Sequence, residues 1–494
     1  MARPQYLPDS RTKWTTGSDS YPIWPSDPEI SIISEIAASV LGLPTDSLSV
    51  RFLDDGAYHK VYDISQTNIS PTSVAYLFRV AVAVDPVHKM ESEMATLEFL
   101  RQKTTIPVPK PIAWNSSAAN PLGYEWALLE KVPGVDLHDV WLNLPWEKKV
   151  NIVESIAGYL AQIWSLDLRF PKIGSLYRAT FVDQEHITNT PPSATPANIS
   201  SISMSRADSA FKEGFKMGPV VDGAFFSDRR RYLESDRGPY TSCSDWLRAR
   251  IEIEKEYIRT GKLLIEEQQT MEKLEDADDL ANEIGIGLDK DDDFDTILDT
   301  CDGYMRALPL VFPPPKTSKL SEARFVLRHC DLRGANIIVH PETFNITGII
   351  DWESTRTVPE WYGLNYPLLI QDMDPFTSRP SKSAVAALKE EGTMPEDRLD
   401  ILRFQWSLWE KQDLREVFDR KLEQLGFSKD WRPNSPEDDL KSRFIKGVRD
   451  LADFWPRSAN ILEKIESKTQ LAPKVTNIPL QVTRDGASGW VTCS

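Results

Sequence analysis

The sequence predicts an α+β fold, with strands concentrated near the beginning of the chain and helices after them. Runs of apolar and β-branched residues bounded by turn formers occupy residues 51–63, 74–84 and 126–134, with one helical pattern among them. From residue 146 onward, apolar residues recur mainly at helical spacing. Strand-like runs return in residues 325–353, FVLRHCDLRGANIIVHPETFNITGIIDWE, where we expect the functional site to form.

The composition describes an ordinary folded protein with an acidic surface. Of the 494 residues, 27% are charged and 41% are hydrophobic, and the net charge is −17. The length suggests about two to four domains. This negative charge argues against a general nucleic-acid binder or a partner of anionic membranes, because attraction to phosphate needs a basic surface. It suits a cationic small substrate, although acidic surfaces also serve solubility.

Cysteine usage and hydropathy bear on the compartment. No stretch approaches the roughly 18 consecutive apolar residues of a membrane span, and the first residues lack the apolar core of a signal peptide. The cysteines show neither metal-ligand spacing nor the density of a disulfide framework: Cys243, Cys301, Cys330 and Cys493. We therefore expect a cytoplasmic protein that binds neither membranes nor nucleic acids.

The first 63 residues predict a flexible segment, a helix and a hairpin. Residues 1–27 are rich in Pro, Ser and Thr, so we expect them to be flexible. A helix is predicted after residues 27–29, DPE, and its apolar face would contain Ile30, Ile33, Ile36 and Val40. Residues 51–63 predict two strands joined by a turn at Gly56.

The strand candidate at residues 74–84 carries a single charge, Arg79. Because an unpaired buried charge is costly, Arg79 needs a partner. The helical pattern of about residues 90–102 has Glu93 on the same face as its apolar stripe of Met90, Met94 and Leu97. We predict an Arg79–Glu93 ion pair, which either serves a binding site or is a purely structural salt bridge.

The middle of the chain alternates between ordered and insertion-like segments. Residues 106–111 are extended, since proline disfavours helix for the residue before it, and 146–166 are helical. Residues 183–210 are rich in Thr, Pro and Ser and predict a lid or a spacer. Further helices are predicted at 244–275, 396–425 and 437–466. The acidic run 289–295 lacks the glycine and glutamate of a calcium loop and predicts a solvated acidic face.

Residues 325–353 predict three short strands. Residues 337–339 and 346–350 flank a turn-rich PETFN segment and therefore predict a β-hairpin. Antiparallel pairing brings Asn336, before the first strand, next to Asp351, after the second. Residues 325–327 predict a third strand that leads to His329 and Asp331. One edge of a small sheet would then hold all four side chains.

These four side chains match the needs of phosphate transfer. Carboxylate and amide oxygens suit a Mg²⁺ ion that also binds phosphate, and a further carboxylate can orient or deprotonate a hydroxyl. The spacing H-x-D-L-x-x-x-N at 329–336, followed by D-W-E at 351–353, resembles the aminoglycoside phosphotransferase family of the protein-kinase-like superfamily. Residues 173–177, IGSLY, resemble a segment of its fungal members. The alternative is a buried hairpin whose polar residues only cap strands.

The resemblance implies a two-lobed protein-kinase-like fold. A small N-lobe with an antiparallel sheet and one helix, which binds nucleotide, would span residues 28–131. A larger, mostly helical C-lobe would span residues 132–470, carry the catalytic hairpin and the substrate site, and contain an insertion near residues 183–300. Residues 471–494 would form a tail.

The resemblance also implies catalytic and metal-binding roles. Asp331 would orient the substrate hydroxyl or accept its proton, and His329 would orient the catalytic loop. Arg333 would neutralise charge on the transferred phosphoryl group, or it is a solvated surface arginine. Asn336 and Asp351 would hold a Mg²⁺ ion that bridges the phosphates of ATP.

The remaining implied roles concern the nucleotide. Arg79 with Glu93 would align the phosphates, and the hairpin turning at Gly56 would cover them. Adenine would bind backbone groups in the hinge from about Glu130 to Val132. Kinase-like proteins usually have lysine where this sequence has Arg79, although arginine can also clasp phosphates.

We therefore expect an ATP-dependent phosphotransferase that moves the γ-phosphate to a hydroxyl of a small molecule. One alternative is a non-catalytic kinase-like protein that binds nucleotide or a partner, which Arg79 and the glycine-poor hairpin favour. Another is a metallohydrolase using His329 and Asp331. The six histidines include no H-x-x-x-H pair, which disfavours the hydrolase.

Overall fold

A five-stranded antiparallel sheet forms the core of the N-terminal lobe. The computed structural model describes residues 13–15, 21–67, 75–181, 214–271, 294–313, 325–371, 396–433, 435–451 and 455–469. The strand order is β3-β4-β5-β7-β6, and the strands are β3 (Leu48–Asp55), β4 (His59–Gln66), β5 (Tyr76–Ala81), β6 (Pro111–Asn115) and β7 (Glu125–Glu130). Neighbouring strands are antiparallel throughout.

Two helices cover opposite faces of this sheet because strand side chains alternate between faces. Phe78 of β5 and Leu128 of β7 pack in the same cluster as Ile33 of α1 (Ile30–Leu41). Ala127 and Leu129 belong instead to the cluster of α2 (His88–Lys103). Arg79 is one residue from Phe78 and therefore faces α2, where its predicted partner Glu93 lies.

The buried face of α1 differs from the prediction. Ile33 is fully buried, but Ile30 and Val40 are exposed, and Ala37 and Ala38 are buried instead. Small alanines let the helix lie close to the sheet, whereas Ile30 and Val40 lie at the first and the last turn of the helix.

Residues 13–15 and 21–27 form structure where the sequence predicted a flexible segment. A two-stranded ribbon, β1 (Lys13–Trp14) with β2 (Pro22–Ile23), precedes α1. The ring of Trp24 lies 5.4 Å from that of Tyr124, whose hydroxyl donates to the carbonyl of Ser26 at 2.7 Å. The aromatic residues within this Pro- and Ser-rich segment supply the apolar area that holds it to the lobe.

The C-terminal lobe is mostly helical, so the protein has the two-lobed, protein-kinase-like α+β fold. After the connection at residues 131–134 come β8 (Val135–Asp136), α3 (Leu137–Trp141), α4 (Trp146–Ile163), β9 (Ser175–Arg178), β10 (Phe215–Gly218), α5 (Gly223–Phe226), α6 (Cys243–Met271) and α7 (Phe294–Val311). The last helices are α8 (Glu360–Gly363), α9 (Glu396–Gln424), α10 (Pro436–Arg449) and α11 (Trp455–Thr469). Helix α4 packs on α9, α6 on α7, and α11 on both α7 and α10.

The helix predicted at residues 437–466 is divided into α10 and α11. Pro456 is the second residue of α11. Proline lacks an N–H and is tolerated in the first turn of a helix but not inside one, so a new helix begins here.

Two small sheets lie beside the interlobe connection. β12 (Ile337–Val339) and β13 (Ile346–Ile349) form the predicted hairpin, and β8 pairs with the other side of β12. The interlobe connection lies close to β12: a Cβ on Gly134, at φ +142°, would overlap the carbonyl oxygen of Val339. This glycine lets the connection rest on the hairpin.

The predicted third strand of this sheet was assigned to the wrong partner. β11 (Phe325–Arg328) pairs with β14 (Arg356–Pro359) in a separate two-stranded sheet, while β8 completes the hairpin sheet. The loops at residues 329–336 and 350–355 therefore both cross from one sheet to the other, which brings them side by side.

Several expected features lie wholly or mainly outside the described residues: the lid or spacer at 183–210, most of the acidic run at 289–295 and the tail at 471–494. Among the helices that are described, none has both the length and the apolarity to cross a bilayer.

Candidate active site

The two crossing loops bring Asn336 and Asp351 together. Ile337 pairs with Ile349 across the hairpin, and the next N–H, that of Ile350, donates to the carbonyl oxygen of Asn336 at 3.0 Å. Asp351 follows directly. The hairpin thus places an amide and a carboxylate at one end, as the sequence predicted.

Asp331 is tied to the same cluster by two side chains. The amide nitrogen of Asn336 donates to Oδ2 of Asp331 at 3.0 Å and to its backbone carbonyl at 2.7 Å. Nε of Arg333 lies 2.9 Å from the same Oδ2. Burial raises the pKa of Asp331, while the charge of Arg333 and the bond from Asn336 oppose that rise. Arg333 is half-exposed and paired with Asp331, so both interpretations of this arginine remain open.

His329 joins the two loops through both ring nitrogens. Its Nε2 lies 3.1 Å from the carbonyl oxygen of Ile350, and its Nδ1 accepts the N–H of Asp331 at 3.1 Å. Burial lowers the pKa of His329 to about 4, so the ring is neutral near pH 7. These bonds assign the proton to Nε2. The ring holds Asp331 against the strand end that leads to Asp351.

Asp351 has a backbone conformation that few residues adopt. Its φ is +62°, in the left-handed region, where asparagine and aspartate are tolerated better than most residues. Such conformations persist where the surroundings enforce them, often at functional sites. Burial, followed by repulsion from Glu353 and Glu93, raises the pKa of Asp351 well above its usual value; Arg79 and Lys89 oppose the rise.

The predicted ion pair between Arg79 and Glu93 is present. Nη1 donates to Oε1 of Glu93 at 2.8 Å, and Nη2 bonds Oε2, so the carboxylate is held by one N–H of each terminal nitrogen. Nε of Arg79 is buried, and within the described structure it has no hydrogen-bond partner. The pair joins β5 to α2 beside the charges of Asp351 and Glu353.

The other nucleotide candidates lie on the N-lobe and in the hinge. Gly56 occupies the turn between β3 and β4, where its N–H donates to the carbonyl of His59 at 2.8 Å. The N–H of Glu130 donates to Lys110, and that of Lys131 to Ala75, each at 2.9 Å. Within the described part of the chain, no backbone hydrogen bond of Val132 is found.

Three further residues enter the site without a predicted role. Nζ of Lys89 bonds Oε2 of Glu353 and lies 3.0 Å from Nε2 of His59, which is 3.2 Å from the same carboxylate oxygen. Two sequence signals point to them: Lys89 precedes Glu93 by one helical turn, and Glu353 follows Asp351 by two residues. For His59, only its place after the turn offers a hint.

The two lobes and the hairpin form a fold of the phosphotransferase type. Residues 49–392 match the phosphotransferase enzyme family, and the chain belongs to that family.

The chain is also similar to fungal proteins. The chain is 27% identical over 334 residues to a subtelomeric hrmA-associated cluster protein of Aspergillus fumigatus, covering 64% of this chain and 59% of that protein. It is 24% identical over 250 residues to the protein named altered inheritance of mitochondria protein 9, mitochondrial, of Clavispora lusitaniae, covering 48% of this chain and 38% of the relative. The matched region thus spans less than two thirds of the length of these relatives.

Solved aminoglycoside phosphotransferases are also similar. The crystal structure of APH(4)-Ia has 13% identity and a TM-score of 0.36, covering 90% of this chain and 99% of that one. The ADP-bound structure of APH(2'')-Ib has 10% identity and a TM-score of 0.37, covering 89% and 99%.

Proposed function

We propose that the protein is an ATP-dependent phosphotransferase that moves the γ-phosphate to a hydroxyl of a small molecule. One observation carries the proposal: Asn336 bonds the carboxylate of Asp331 through its side chain and the strand end before Asp351 through its carbonyl. A carboxylate able to act as base is thereby held beside an amide and a second carboxylate. Membership in the phosphotransferase enzyme family supports the same interpretation.

The side chains fit a Mg²⁺ ion with phosphate oxygens. Asn336 uses its amide nitrogen on Asp331, so its amide oxygen is the atom left to bind a metal, together with the carboxylate of Asp351. Within the described residues no three His, Cys, Asp or Glu side chains form a metal site of their own. Mg²⁺ commonly takes one or two carboxylates and completes its shell with phosphates and water. Bound there, it would neutralise charge on the phosphates.

Three side chains of the catalytic loop would have separate roles in the transfer to the acceptor. Asp331 would orient the attacking hydroxyl and take its proton, since a carboxylate with a raised pKa is a better base. Arg333, already at that carboxylate, would offset negative charge in the transition state. His329 keeps the loop in register through its bonds to both backbones.

The acceptor is a hydroxyl-bearing small molecule, and the net charge of −17 favours a cationic one.

The cysteines suit a reducing compartment such as the cytoplasm, because Cys243, Cys301 and Cys330, the three in the described part of the chain, are free thiols.

A second candidate function is nucleotide binding without transfer. The observation that favours it is charge pairing inside the site: Glu93 occupies both terminal nitrogens of Arg79, and Arg333 occupies an oxygen of Asp331. Such a protein would bind ATP and leave it intact.

Calorimetry of ATP binding, with and without Mg²⁺, tests the proposal. We expect metal-dependent binding by the wild type and loss of that dependence in Asp351→Ala. Asp295→Ala, which removes an exposed carboxylate paired with Lys262, is the matched control and should bind as the wild type does. Failure of the folded wild type to bind ATP refutes both candidate functions.

Phosphoryl transfer is then followed as ADP release over a panel of sugars, amino alcohols and aminoglycosides. Asp331→Asn should bind ATP and lose transfer. Binding without acceptor-dependent ADP release across the panel would favour the second candidate.

A further inference from the structure

Lys89 is a buried cation at the edge of the candidate site. Its side chain is only 4% exposed, and it enters from the same face of α2 as Glu93, one helical turn earlier. Its ammonium bonds Glu353, two residues beyond Asp351. We propose that Lys89 binds the terminal phosphates of the nucleotide, in place of the strand residue Arg79. This inference rests on the proposed function.

Arg79 is poorly placed for that task. Both of its terminal nitrogens bond Glu93, a carboxylate that is 3% exposed. The bidentate bond fixes the orientation of the guanidinium, because rotating it away would leave Glu93 as an uncompensated buried charge, which is strongly unfavourable. The pair therefore acts as a fixed link between β5 and α2.

Lys89 has the opposite properties. Its charge is a compact ammonium on a flexible four-carbon stem, which can exchange one anionic partner for another. Glu353 is such a partner, and a phosphate oxygen could replace it. The ring of Tyr58, 5.0 Å from Nζ, limits the other directions open to the ammonium.

The same contact includes the hairpin that would cover the phosphates. His59 is the first residue of β4, directly after the turn that begins at Gly56. Because an ammonium can only donate, Nε2 of His59 accepts from Lys89 at 3.0 Å. The ammonium thus lies where the covering hairpin, α2 and the strand end beyond Asp351 meet.

Electrostatics gives a reason why a second available cation is needed. Three carboxylates, those of Glu93, Asp351 and Glu353, face two cations, Arg79 and Lys89. A nucleotide phosphate that enters beside these acidic side chains needs a cation that can turn toward it, and of these two cations Lys89 has the more mobile charge. Phosphates and metal together would relieve the excess of negative charge.

The test compares adenosine, AMP, ADP and ATP by calorimetry on the wild type and Lys89→Met. We expect about a 10- to 100-fold loss of affinity for ADP and ATP, the size of a lost bond to a charged group, with adenosine affinity kept within about twofold. Lys149→Met is the matched control, because Lys149 is also 4% exposed, bonds Glu410 at 2.6 Å and lies 5.4 Å from the ring of Trp141. It should leave all four affinities unchanged.

Glu353→Gln provides a second arm that keeps the lysine. Removing the competing carboxylate should raise the affinity for metal-free ADP by about fivefold, the scale of one ion pair. The gain should be clearly smaller in the double variant with Lys89→Met, because only the relief of direct repulsion by Glu353 remains there. If Lys89→Met fails to fold, this arm and Lys89→Arg, which should retain ADP binding, decide the question.

The outcomes separate this inference from the proposed function. Equal ADP affinity in the wild type and Lys89→Met, or an equal loss for adenosine and ADP, overturns the role of Lys89 while ATP binding itself stands. Unchanged metal-free ADP affinity in Glu353→Gln also overturns it. A folded wild type that binds no nucleotide overturns both.

Discussion

Glu125→Gln should remove a pH dependence from the stability of the N-lobe. Glu125 is 1% exposed at the start of β7, and one carboxylate oxygen accepts the N–H of Val87 at 2.7 Å. Val87, at φ +68°, precedes α2, the helix that carries Lys89 and Glu93. Burial raises the pKa of Glu125 from 4.5 to about 8; Asp85 and Glu91 add to the rise, and the bond from Val87 and the charge of Lys89 oppose it.

The sign and size follow from linkage. Between the unfolded pKa of 4.5 and the folded pKa of about 8, the folded protein keeps a proton that the unfolded chain releases, so stability falls as the pH rises through this window. Each pH unit within it costs about 1.4 kcal/mol. From about pH 6 to about pH 9 the wild type should therefore lose about 2–3 kcal/mol relative to the glutamine variant.

Urea-induced unfolding of both proteins at the two pH values measures this difference. The glutamine side chain would keep an oxygen that accepts from Val87 and cannot ionise, so the comparison isolates the charge. Glu29→Gln, at an exposed carboxylate before α1, is the control and should show no comparable change. A free-energy difference between wild type and Glu125→Gln that is the same at both pH values refutes the reasoning.

Four further variants test catalysis and packing. Asp331→Asn should lower the rate of phosphoryl transfer by about 10²- to 10⁴-fold, as loss of a general base does, with ATP affinity nearly unchanged by calorimetry. Arg333→Met should lower kcat by about tenfold, less than the roughly 10²-fold or greater loss of a buried donor, because its side chain is 51% exposed. Gly447→Ala should destabilise the C-lobe by about 1–3 kcal/mol in thermal unfolding, since a Cβ would overlap the hydroxyl oxygen of Tyr304. Gly158→Ala, a helix glycine with open space around it, should instead stabilise by about 0.5–1 kcal/mol.

Each of these has a contrary result. Full transfer activity in Asp331→Asn would show that another group takes the proton. A fall in ATP affinity without a fall in kcat for Arg333→Met would move that residue from the transition state to nucleotide binding. Equal stability of the two alanine variants would mean that Tyr304 can turn away without cost.

Local sequence patterns predicted most of the arrangement of the candidate site. The hairpin of residues 337–349 could be predicted because side chains alternate along strands and turn residues mark the reversal, and pairing then places Asn336 beside Asp351. The pair of Arg79 and Glu93 followed from a similar argument, since a charge within an apolar strand must find its partner on the nearest helix face.

Contacts between residues that are far apart in the sequence could not be predicted from local patterns. Whether β11 joins the hairpin or pairs with β14 depends on hydrogen bonds between edges that many short strands satisfy equally well. The contact of Lys89 with Glu353 spans 264 residues and forms where the N-lobe lies against the catalytic hairpin.

The sequence by itself determined the α+β class, the order of the elements and the residue types of the site, because strand and helix periods and turn chemistry are local. Only the tertiary structure decided that Arg333 turns to Asp331 and that a buried lysine lies at the candidate phosphate position. Those choices depend on which charges are buried together, and burial is a property of the packed fold.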